Sequence, residues 1–66
     1  MEVMVNGETR LLETPMTVAE FLKAHGLNPK MVVVEHNRVI LARTWYDETT
    51  LQPGDELEIV QMMAGG

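Results

Sequence analysis

Apolar residues recur along this chain with two periods, two and 3.6, which divide it into strand and helix segments. Val3 and Val5 alternate between Glu2 and Asn6. The pair Asn6-Gly7 then supplies a tight turn, and Thr9 to Leu12 returns as the second arm of a β-hairpin. Thr17-Val18-Ala19-Glu20 has the spacing of a capping box, in which the Thr17 hydroxyl accepts the Glu20 N–H and the Glu20 carboxylate accepts the Thr17 N–H. Met16 and Phe21 occupy the staple positions on either side of that cap. Val18, Phe21, Leu22 and His25 share one helical face, and Gly26 takes the first position beyond the helix. Asn28-Pro29 blocks continuation, Met31 to Val34 reads as a β-branched strand, and Asn37-Arg38 turns it towards Val39-Ile40-Leu41. Ala42 to Thr50 has no period, so a loop or short 3-10 turn is expected. Trp45, Tyr46 and Leu51 are expected to cover one edge of the core. Pro53-Gly54-Asp55 signals a turn, and Glu56 to Met63 is the last strand, with Leu57 and Ile59 on one face and Val60 and Met62 on the other.

Strand, strand, helix, strand, short strand, strand is an order in which one helix must cover one face of a mixed sheet. The expected fold class is α+β, a ubiquitin-like β-grasp. Its core is expected to hold Val3, Val5, Val18, Phe21, Leu22, Val32, Val34, Leu57 and Ile59. The expected organisation is one body over residues 1–64 and a flexible Gly65-Gly66 tail.

Charge and composition narrow the function. A 66-residue domain buries only about 60% of its unfolded surface, too little to shape a deep catalytic cleft of its own. Ten acidic against five basic residues give a formal charge of −5, which repels nucleic-acid phosphates and anionic lipid heads and suits a basic partner protein. Without cysteine there is no disulfide, thiolate metal site or cysteine nucleophile. No apolar run approaches 18 residues and no basic-then-apolar leader is visible, so a cytoplasmic protein is expected. His25 and His36 lack the spaced third ligand that a metal site needs. Asp47, Glu48, Asp55, Glu56 and Glu58 are expected to be solvated or to face basic residues of a partner.

The group left for chemistry is the terminal carboxyl. Ala64-Gly65-Gly66 follows the last strand, and glycines without a β-carbon can enter a narrow channel and adopt φ values closed to other residues. An accidental flexible end is the competing explanation.

Val5-Asn6-Gly7, Thr17-Val18-Ala19-Glu20-Phe21-Leu22, Val32-Val33-Val34-Glu35-His36-Asn37, Pro53-Gly54-Asp55-Glu56-Leu57-Glu58-Ile59-Val60 and Gly65-Gly66, in this order and at this length, resemble the ThiS family. Its members are ubiquitin-like sulfur carriers of thiamine thiazole biosynthesis. Two departures are Ala42-Arg43, where many relatives show Pro-Arg, and Ala64, which is often a third glycine. The resemblance implies that the Gly66 carboxylate is adenylated with ATP by an E1-like, ThiF-like enzyme. It further implies conversion to a thiocarboxylate by a persulfide sulfur donor and delivery of sulfur to a ThiG-like thiazole synthase. The carrier is then a co-substrate without catalytic residues, cofactor or metal of its own.

Partner contact is assigned to Val60, Met62 and Glu58, which stand beside the tail. Methionine's flexible thioether suits a surface that meets at least two enzymes, whereas Met4, Met31 and Met63 are expected to be mainly structural. The alternatives are a molybdopterin or tRNA-thiolation carrier similar to MoaD, a protein modifier joined through Gly66 to a lysine, and a plain interaction module.

Overall fold

The computed structural model of the protein describes residues 1–62. In chain order its elements are β1 (Glu2–Val5), β2 (Glu8–Leu11), α1 (Val18–Ala24), a 3-10 turn (Pro29–Met31), β3 (Val32–His36), β4 (Val39–Leu41), a second 3-10 turn (Arg43–Trp45) and β5 (Glu56–Gln61). The strands form one mixed sheet in the order β2-β1-β5-β3-β4. β1 and β5 run parallel and every other neighbouring pair is antiparallel. This is the expected β-grasp.

Local sequence signals account for each element. Asn6 at φ 51° and Gly7 at φ 80° supply the left-handed pair that a two-residue hairpin turn requires. The capping box is complete, with Glu20 N–H to Thr17 Oγ1 at 3.1 Å and Thr17 N–H to Glu20 Oε1 at 2.9 Å. At the other end Gly26 sits at φ 68°. Its N–H donates to the Lys23 carbonyl, and the Leu27 N–H reaches back to Leu22, a Schellman closure that ends the helix after seven residues. Arg43–Trp45 fills the aperiodic stretch with the short turn expected there.

The core lies between α1 and one face of the sheet and contains Val3, Val5, Leu12, Val18, Phe21, Leu22, Val32, Val34, Tyr46, Leu51 and Leu57. Ile59 is half-buried against it. Trp45 departs from expectation: it is 56% exposed, while its neighbour Tyr46 and the later Leu51 fill the edge of the core. A 3-10 turn places consecutive side chains about 120° apart, so only one of the adjacent aromatics can point inward. No helix among the described residues is long and apolar enough to cross a membrane.

Candidate functional site

β5 leads to the residues assigned to the chemistry, and its support comes from both sides. β3 pairs with it from His36 opposite Leu57 to Val32 opposite Gln61, and the Met62 N–H donates to the Met31 carbonyl at 2.7 Å. β1 ends at Val5, yet its ladder is continued by a side chain. Asn6 Oδ1 accepts from the Ile59 N–H at 2.7 Å and Asn6 Nδ2 donates to the Ile59 carbonyl at 3.2 Å. The amide thus takes the place of one more strand residue, just where β5 passes the hairpin turn. The sequence places Asn6 in the turn and carries no sign of this second role. Nothing local signals it, because the partner lies 53 positions away.

Alternation along β5 sends Leu57 and Ile59 towards the helix and Glu58, Val60 and Met62 to the open face. Val60 is 62% and Met62 45% exposed, as their placement on the outward face requires. Register adds residues that periodicity alone did not collect. Val33 lies directly opposite Val60, and Met4, which was expected to be structural, is exposed on the same face beside Glu56. Glu58 is exposed and stands opposite Glu35, a like-charged pair. Among the described residues Arg10 is the one lysine or arginine at a strand position, and by alternation it shares a side with Val3, which leaves this face without such a cation. Ala64, Gly65 and Gly66 lie outside the described residues, as does Met63.

At the opposite end of β5, Asp55 is not the solvated carboxylate that was expected; it is buried. His36 Nε2 lies 2.8 Å from Asp55 Oδ2, the Gln52 N–H donates to that same oxygen at 2.8 Å, and Asn37 Nδ2 donates to Oδ1 at 3.1 Å. An ionised carboxylate only accepts, so His36 Nε2 carries the proton. Burial disfavours the charged carboxylate, but the hydrogen bonds from His36, Gln52 and Asn37 outweigh it and hold Asp55 below the ordinary carboxylate range. Asn37 also accepts the Glu56 N–H on its Oδ1 at 2.9 Å and donates its own N–H to the Glu56 carbonyl at 2.8 Å. The cluster therefore locks the β3–β4 turn onto the start of β5.

His25 and His36 are apart in role. His25 stacks on Phe21 with ring centroids 4.1 Å apart, and its Nδ1 lies 2.9 Å from the Phe21 carbonyl. Among the described residues no three His, Cys, Asp or Glu side chains converge as metal ligands. A surface hollow lined by Val5, Asn6, Arg10, Phe21, His25, Leu27, Ile59 and Gln61 is about 200 Å³. That is below the size of ordinary small-molecule sites, about 300–1,000 Å³. The geometry is that of a small body presenting an acidic-apolar sheet face.

The ThiS family model matches residues 3–66. The chain belongs to the ThiS family. It is 33% identical to the thiamine biosynthesis protein ThiS of Geobacter metallireducens, whose crystal structure superposes with a TM-score of 0.85 and full coverage of both chains. A curated protein named sulfur carrier protein ThiS, from Bacillus subtilis, is 36% identical over 50 residues, 76% of each chain. A thiazole synthase of Paramagnetospirillum magneticum is 36% identical over all 66 residues, which make up 20% of that protein. The chain thus spans about a fifth of the length of the first curated relatives it matches.

Proposed function

We propose that the chain is a sulfur carrier for thiazole formation in thiamine biosynthesis, with the Gly66 carboxylate as the site of modification. The observation that carries this reading is membership of the ThiS family over a match that runs through Gly65 and Gly66. A carboxylate is a poor electrophile, so ATP must first convert it to an acyl adenylate, releasing pyrophosphate, on an E1-like, ThiF-like enzyme. A persulfide donor then attacks the carbonyl carbon and AMP leaves. Cleavage of the resulting S–S bond by a thiol reductant leaves the terminal thiocarboxylate and a disulfide.

In this reading residues 1–64 are the recognition body and Gly65-Gly66 the tether that enters partner active sites. Val60, Met62 and Glu58, joined by Val33 and Met4, form the docking face. The protein is a co-substrate and not an enzyme. Similarity over its full length to two thiazole synthases supports a ThiG-like acceptor, and favours thiazole over molybdopterin or tRNA as the destination of the sulfur.

Intact-mass spectrometry tests the proposal. With ATP, magnesium, an E1-like adenylating partner and a persulfide donor, the chain is expected to gain about 16 Da, the replacement of one oxygen by sulfur. Deletion of Gly66 is expected to abolish the gain without changing the fold. Normal loading after that deletion, or none in the intact chain with its cognate partner, would sink the reading. A lysine-linked conjugate would move the protein to the modifiers.

A further inference from the structure

Among the described residues the sheet has two free edges, and they differ in chemistry. β2 presents Glu8-Thr9-Arg10-Leu11, with Glu8 and Arg10 paired at 3.7 Å, the alternating charge that protects an edge from pairing with other chains. β4 presents Val39-Ile40-Leu41 without a charge, and Val39 and Ile40 are 68% and 69% exposed. Among the described residues, 39–41 make no backbone hydrogen bond outside the ladder with β3.

The flanks of β4 are cationic on an acidic protein. Arg38 precedes the strand and Arg43 follows it by two residues; both are exposed, and among the described residues neither forms an ion pair. Arg38 also holds φ 69° at the second position of a two-residue turn, a conformation that glycine adopts without strain. Arg38 thus stands at a position where its backbone is disfavoured. The exposed Trp45 follows within one short turn, and tryptophan is a favoured anchor of interfaces.

We propose that β4 is a second docking site, which takes an extended apolar segment with acidic flanks from a partner protein by strand addition. Backbone pairing centred on Ile40, which lies opposite Glu35 in the non-bonded position of the ladder, supplies the register, and Arg38 and Arg43 select carboxylates at the two ends. A second copy of this chain does not fit. Antiparallel self-pairing centred on Ile40 sets Arg38 of one copy opposite Ala42 of the other, next in sequence to Arg43, so that cations of the two copies gather at both ends of the paired strands. The site goes beyond the carrier reading and does not depend on it. Because β3 separates β4 from β5 in the sheet order, a partner held on β4 leaves the open face of β5 accessible.

The experiment uses the full chain, nitrogen-15 labelled, titrated with a synthetic peptide that has a Val-Ile-Val centre and two acidic residues on each side. Saturable amide shifts confined to 38–45, with a change in Trp45 fluorescence, are expected. A lysine-flanked peptide of the same centre is expected to bind at least about tenfold more weakly, and the double reversal R38E/R43E is expected to invert that preference. Arg38→Gly is expected to raise the melting temperature and weaken the acidic peptide, which separates docking from folding. No saturable shift up to millimolar peptide, shifts centred on β2, equal binding of both peptides, or self-association of the chain through β4 would overturn the proposal.

Discussion

The Asn6 amide makes two hydrogen bonds to the backbone of Ile59 from a residue whose own backbone sits in the left-handed region. Asn6→Gly keeps the turn and removes only the amide, so the cost measures those bonds. A loss of about 1–2 kcal/mol in urea unfolding is expected, with faster hydrogen exchange at Ile59 and Val60. Asp55 is the second such residue. In Asp55→Asn an NH₂ group faces the His36 and Gln52 donors, or the flipped amide faces Asn37 instead, so at neutral pH a loss of about 1–3 kcal/mol is expected. The pH dependence has a defined sign. Because the folded pKa is lowered, the contribution of Asp55 is fully present above its unfolded value, near 3.8, and disappears as pH falls through the folded value. The stability gap between wild type and Asp55→Asn is therefore expected to be constant above about pH 5 and to shrink in acid. A gap that widened towards low pH would contradict the assignment.

At the scale of elements, a seven-residue helix is far below the length of about 12 residues at which isolated helices become even marginally stable in water. α1 therefore depends on its caps and on Val18, Phe21 and Leu22 in the core. Thr17→Ala removes one half of the capping box, and a destabilisation of about 1 kcal/mol is expected by thermal or urea unfolding. In β5 the local rule is broken rather than obeyed. Glu58 faces Glu35 across the ladder, and opposed like charges weaken a sheet. Glu58→Gln is expected to stabilise the fold by a few tenths of a kcal/mol, about the worth of one exposed pair, while weakening association with an adenylating partner. Stability and binding moving in the same direction would remove Glu58 from the docking face.

For the whole molecule, the distribution of charge matters more than its sum. The described strand positions of the open face carry carboxylates and no cation, whereas Arg38 and Arg43 bracket β4. Association of the open face with an adenylating enzyme is expected to weaken as salt rises from low to physiological ionic strength, because screening acts on exposed charges. Surface plasmon resonance across a salt series checks this. Affinity independent of salt would assign the interface energy to Val33, Val60 and Met62.

The sequence by itself determined the elements and most of the core. Hairpin turn, capping box, helix stop and strand alternation are local interactions, readable wherever neighbouring residues carry them, and the helix-facing pairs followed from period alone. The ThiS resemblance, carried by motifs spread over the chain, was legible for the same reason. What only the tertiary structure decided were relations between distant residues: the Asn6 bonds to Ile59, the burial of Asp55 under His36 and Asn37, and the placing of Val33 opposite Val60 and Glu35 opposite Glu58. It also exposed Trp45 and Met4 and left β4 as an uncharged edge. Register and strand order arise from closure of the sheet around one core, and no local pattern encodes which residue of one strand will face which residue of another.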